Sequence, residues 1–192
     1  MKPNITIHIL PQNEARNLEI TYKFITTKSL GNILIGYYDE KICHVSFQDS
    51  STQNLEPIQQ DFINCHLLED TKNDFKEEIF SEMSQDDEIE NIKIELLDPI
   101  DIVLTGTDFQ IKTWEALTKI ESGTTVSYEE VAEMMGRDKK SVRAVAGAIS
   151  KNKIAYLVPC HRVINKNGDL SKYKWGAERK KFILDFEKRL MD

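Results

Sequence analysis

A thiol capable of nucleophilic substitution stands at Cys160, between Pro159 and the pair His161 and Arg162, in the run Leu157-Val158-Pro159-Cys160-His161-Arg162-Val163-Ile164. A free cysteine is only a few per cent thiolate at neutral pH, and adjacent basic or cationic groups raise that fraction. Pro159 fixes one backbone torsion and pushes Val158 towards an extended conformation, so the thiol is expected on a stiff turn at a strand end. An acid, Glu187, falls among Phe182, Ile183, Phe186 and Leu190 on the apolar arc of the last helical pattern, and a carboxylate on a buried face needs a partner. Two partners are open to it: a nearby Arg or Lys in a salt bridge, or the imidazole of His161, whose tautomer it would fix. Cys43 and Cys65 also precede histidines, His44 and His66, but they lack the short ligand spacings of zinc motifs and read as structural.

The elements that must position Cys160 lie mostly in the second half. A helix starts at Thr107-Asp108 and carries Ile111, Trp114, Leu117 and Ile120 at intervals of three or so, with Gly123 beyond its end. Ser127-Tyr128-Glu129-Glu130 is a capping box for a second helix, which runs through Val131, Ala132 and Met135 to stop at Gly136. After the basic turn at 137–140 comes a third helix over 141–150. Val142, Val145 and Ile149 share one of its faces, whereas Arg143, Ala146, Gly147 and Ser150 share another. That nearly bare face fits the recognition helix of a helix-turn-helix or, alternatively, a helix packed closely on a neighbour. The residues 154–158 read as a short extended run into Pro159, 165–168 as a turn, and 177–190 as the final helix.

The first half reads as strands at 5–10, 18–26, 31–38 and 42–47, helices at 54–64 and 74–83, an acidic loop at 84–91, and strands at 92–96 and 100–104. Its chemistry is anonymous. The expected organisation is an α/β N-terminal domain, 1–102, and a mainly α domain, 103–192. The 192 residues are 40% hydrophobic and 30% charged, ordinary for a globular chain, and no run of about 18 apolar residues or signal peptide is present, so the chain reads as cytoplasmic. Net charge is −7, but residues 1–100 hold 8 Lys/Arg against 19 Asp/Glu, a balance of −11, while 101–192 hold 17 against 13, a balance of +4. A polyanion would be bound by the second half.

Gly106-Thr107-Asp108-Phe109-Gln110, Ser127-Tyr128, Arg143-Ala144-Val145, Asn152, Pro159-Cys160-His161-Arg162-Val163, Gly168, Tyr173 and Glu187 occur in the order of one family. The chain resembles the O6-alkylguanine-DNA alkyltransferases, most closely the alkyltransferase half of the bacterial Ada proteins, densely over 100–190 and only in general pattern before that. The resemblance implies a ribonuclease H-like first domain, a winged-helix-like second domain with a helix-turn-helix, and a single-turnover methylated-DNA–[protein]-cysteine S-methyltransferase. Cys160 is then the alkyl acceptor, His161 takes the thiol proton through a water, Glu187 orients the imidazole, Asn152 holds the turn and Tyr128 protonates the departing base. Arg143, Ala144, Ala146, Gly147 and Ser150 face DNA, Arg143 filling the space of the flipped nucleotide. Tyr128, Val163, Tyr173, Lys174 and Trp175 form the base pocket, Val163 through its carbonyl. The implied partner is double-stranded DNA bearing O6-alkylguanine, with O4-alkylthymine as a further substrate to test; the protein would be a monomer without membrane contact, cofactor or metal.

Two features depart from the family pattern. The turn before the recognition helix is one residue longer and lacks its proline, and Lys172 stands where glycine is frequent, so large adducts are expected to react slowly. Three rivals stay open: an alkyltransferase-like lesion sensor, against which Cys160 argues; a Cys-His-Glu hydrolase, for which no oxyanion hole is recognisable; and a plain helix-turn-helix regulator.

Overall fold

The computed structural model describes residues 4–71 and 99–191; the elements expected at 74–83, 84–91 and 92–96 lie outside the described residues. The chain divides into two compact units, one ending at Thr105 and one starting at Gly106.

The first unit is a six-stranded mixed sheet in the order β1-β6-β4-β3-β2-β5. Strands β2 (Glu19–Thr27), β3 (Gly31–Tyr38) and β4 (Lys41–Gln48) form an antiparallel meander rich in β-branched and aromatic residues, which suit a pleated, half-buried surface. At its two ends, β5 (His66–Glu69) joins β2 in parallel, and β6 (Ile100–Leu104) lies between β4 and β1 (Ile5–Ile9), parallel to both. A helix α1 packs Ile58 on one face of this sheet, where Ile20, Leu34 and Phe62 complete a core. It spans only Glu56–Asp61, shorter than the 54–64 expected, and its C-cap Phe62 turns to extended backbone. His44 lies inside that packing: its Nδ1 pairs with Asp61 Oδ2 at 2.9 Å and its Nε2 with Ser46 Oγ at 2.9 Å, which ties α1 to β4.

Four helices build the second unit: α2 (Asp108–Leu117), α3 (Tyr128–Met134), α4 (Val142–Ser150) and α5 (Ala177–Arg189). Both α2 and α3 begin with a reciprocal capping box, Thr107 with Gln110 and Ser127 with Glu130, which satisfies N–H groups that the first turn leaves unpaired. Trp114, fully buried on α2, donates its indole N–H to Ala148 O at 3.0 Å and so fixes α2 against α4. Gly136 closes α3 in the left-handed region, φ +67°, a conformation that glycine adopts without steric cost. A two-stranded parallel ribbon, β7 (Val126–Ser127) with β8 (Val163–Ile164), then links the start of α3 to the segment just after Cys160. Among the described residues no helix is long and apolar enough to cross a membrane.

Candidate active site

The run 154–158 is not the extended segment the sequence predicts. Val158 N–H donates back to Ile154 O at 3.1 Å, and Tyr156 takes φ +67°, so the backbone coils before Pro159. Pro159, at φ −80° and ψ 63°, is the centre of an inverse γ-turn closed by Cys160 N–H to Val158 O at 2.8 Å. Cys160 therefore opens a single 3-10 turn, Cys160–Arg162, with a rigid approach. Asn152 supports that approach: its amide donates to Val158 O at 2.9 Å and to the Cys160 sulfur at 3.1 Å, while its oxygen accepts from Ile154 N–H at 3.0 Å.

Behind the thiol, His161 Nε2 meets Glu187 Oε1 at 2.8 Å, and the same carboxylate receives Arg162 Nη2 at 2.7 Å and Gly123 N–H at 3.1 Å. Arg162 spends its remaining donors on Ile120 O and Ser122 Oγ. Both partners open to Glu187 in the sequence are thus taken at once. Burial opposes the charge on Glu187, but the hydrogen bonds and charges of His161 and Arg162 outweigh it and bring its pKa to about 2. His161 moves the other way: burial lowers its pKa more than Glu187 raises it, so the imidazole is neutral and Arg162 supplies the permanent countercharge. Its Nδ1 is buried and bonded to no protein group, which leaves that nitrogen to serve the thiol side.

Cys160 lies on the wall of a cavity of about 550 Å3 that also touches Tyr128, Arg143, Tyr173, Lys174 and Lys180. Burial raises the thiol pKa; the Asn152 amide, then the ammonium groups of Lys180 and Lys174, pull it back. Burial also raises Tyr128, as does the nearby thiol, so its phenol stays protonated at neutral pH. The Tyr173 hydroxyl is close enough to couple with the sulfur and is held well above its ordinary pKa by burial, yet it makes no hydrogen bond of normal geometry. On α4, Arg143, Ala144, Gly147 and Ser150 are exposed and Ala146 is half-buried, while Val145 and Ile149 are buried. A Cβ added at Gly147 would meet nothing within 4 Å, so the small-residue face is open rather than packed on a neighbour.

Two expected pocket residues stand elsewhere. Trp175 is not on the cavity wall; its indole packs edge-on against Tyr173 at 5.3 Å, with the Lys174 ammonium 4.9 Å above it. Val163 is also off the wall, and its carbonyl accepts from Lys180 Nζ at 2.6 Å, which leaves one lone pair for other use. Lys180 itself was missed in the sequence, although its spacing from Ile183 and Glu187 places it on the buried arc of α5. Tyr156 was missed too; its ring stacks on the His161 imidazole, 5.8 Å between centroids and 12° between planes.

Residues 108–189 match the family described as 6-O-methylguanine DNA methyltransferase, DNA binding domain. The methylated-DNA–protein-cysteine methyltransferase of Saccharomyces cerevisiae is 32% identical over 177 residues, covering 87% of this chain and 92% of that protein. The bifunctional transcriptional activator/DNA repair enzyme Ada of Escherichia coli is 34% identical over 173 residues, 88% of this chain, which spans only 45% of Ada. Among solved structures, the O6-methylguanine methyltransferase of Mycobacterium tuberculosis superposes with a TM-score of 0.65 at 28% identity, covering 88% of this chain and 93% of that one. The M. tuberculosis OGT in complex with DNA gives the same score at 26% identity, covering 88% and 94%. A mixed sheet followed by several helices, with a buried cysteine beside the His–Glu pair, defines an alkyltransferase fold and site. The chain belongs to the methylated-DNA–protein-cysteine methyltransferase family.

Proposed function

We propose that Cys160 repairs DNA by accepting, once and irreversibly, the alkyl group on O6 of an alkylated guanine. The observation that carries this reading is the Asn152 amide on the sulfur of a cysteine at the wall of a cation-lined cavity. The thiolate sulfur bonds the alkyl carbon, the carbon–O6 bond breaks, and its electron pair leaves on guanine. Tyr128 gives the base a proton, which its raised pKa favours in the resting state. The thiol proton passes through a water to His161 Nδ1, and Glu187 stabilises the imidazolium that forms. A thioether is stable, so turnover ends there.

An O6 atom within stacked DNA is out of reach of a thiol 5% exposed, so the nucleotide must rotate out of the helix, at a cost of a few kcal/mol. Arg143 on the open face of α4 fills its place, with Ala144, Ala146, Gly147 and Ser150 against the minor groove. On this reading the first unit is ribonuclease H-like, the second winged-helix-like, and the protein acts as a monomer. Hydrolysis fits less well, because the described residues around Cys160 offer no pair of donors aimed at an oxyanion.

The test is stoichiometry. Duplex oligonucleotide carrying O6-methylguanine, in excess over protein, should lose one methyl group per protein molecule and no more. Continued turnover, or equal loss with Cys160→Ala, overturns the proposal.

A further inference from the structure

Glu129, next in the chain to Tyr128, binds two lysines from different segments. Its Oε1 pairs with Lys139 Nζ at 2.5 Å, from the 3-10 turn Lys139–Ser141 that precedes α4, and its Oε2 pairs with Lys166 Nζ, from the turn after β8. The carboxylate is only 12% exposed, whereas the lysine side chains are 78% and 71% exposed. One anion thus holds one ammonium on each oxygen, the arrangement that the two non-bridging oxygens of a phosphodiester would also present. The place is the rim of the Cys160 cavity: Lys139 lines that cavity with Lys140 and Arg143, and Asn165 lines both it and the neighbouring cleft that holds Glu129 and Lys166. Any DNA that delivers a base to Cys160 must bring its backbone to this rim.

We infer that Lys139 and Lys166 form a clip for one DNA backbone phosphate, and that Glu129 occupies the clip in the free protein as an internal competitor. This rests on the function proposed above. Exposed lysines swing freely, so exchange of carboxylate for phosphate needs no backbone change. The competitor weakens binding to DNA in general, and it sits in the turn that here lacks the family's proline, so the ion pair to Lys139 also holds that turn near α3 in the absence of DNA.

Binding of undamaged duplex is measured by fluorescence anisotropy across a range of salt for wild type, Glu129→Gln and Lys139→Gln/Lys166→Gln, with methyl uptake by Cys160 followed in the same wild-type sample. Glu129→Gln should bind undamaged duplex about 3–10-fold more tightly. The double lysine variant should bind more weakly, and its log–log salt slope should be shallower by about two. Unchanged slope in the lysine variant removes the clip, and unchanged or weaker binding by Glu129→Gln removes the competitor. If wild-type Cys160 takes up no methyl group, the proposed function fails instead, whatever the binding curves show.

Discussion

Arg162 grips Glu187 as a fork, with Nη2 2.7 Å from Oε1 and Nε 3.1 Å from each carboxylate oxygen, and both side chains are buried. Removing one partner of such a pair strands a charge in low dielectric, which typically costs about 3–5 kcal/mol. Arg162→Met should therefore lower unfolding free energy in urea by about that amount. Arg162→Met with Glu187→Gln should recover a large part of it. A single variant as stable as wild type would show that the pair carries no such weight.

Acid should expose the same carboxylate. Glu187 titrates at about 2 in the fold against an ordinary 4.5, so its contribution is complete above about pH 4.5 and is lost as pH falls towards 2. The size is on the order of 3 kcal/mol. His161 has the same sign: burial lowers its folded pKa, so its contribution is present above 6.5 and declines below that value. Stability measured in urea from pH 7 to 2 should fall in both windows, and Glu187→Gln should flatten the lower one. A Glu187→Gln curve parallel to wild type below pH 4.5 contradicts the assignment.

Asn152 affects the thiol in two ways, by a hydrogen bond to sulfur and by bonds that hold the turn. Loss of a hydrogen bond to an ionised group costs about 1.5–3 kcal/mol, so Asn152→Ala should transfer the alkyl group roughly 10–100-fold more slowly. Single-turnover quenching on methylated duplex reads this directly. A rate within threefold of wild type would remove Asn152 from the reaction.

Large adducts test the cavity wall. Lys172 and Lys174 line it, whereas Trp175 stands behind Tyr173. Forcing extra bulk into a filled site costs about 1–3 kcal/mol, so O6-benzylguanine in an oligonucleotide should react roughly 10-fold more slowly than O6-methylguanine. Lys172→Gly should narrow that gap. Equal benzyl and methyl rates in wild type sink the idea.

Much of the site was legible because its signals are local. Cys160 and His161 are adjacent, the capping boxes at Thr107 and Ser127 are three-residue patterns, and Glu187 stands out as an acid on an apolar arc. What stayed hidden depends on distant contacts. Tyr156 coils the chain at 154–158 through a left-handed conformation that no composition announces, and it rests on His161. The strands β5, β7 and β8 have four, two and two residues, too few for alternation to register. Lys180 had a signal in its spacing, but a lysine on an apolar arc ordinarily extends its ammonium to water; here it turns inward to Val163 O. The buried stripe of α5 is also rotated from the expected one, with Leu184 inside and Phe182 and Leu190 half-buried.

The central claim is that Cys160 itself becomes alkylated. Intact mass spectrometry after one incubation with duplex DNA containing O6-methylguanine, followed by peptide mapping, tests it most directly. The account predicts that wild type gains the mass of one CH2 unit, located on Cys160, and that Cys160→Ala gains nothing. An unmodified wild type, or a methyl group found on another residue, would contradict it.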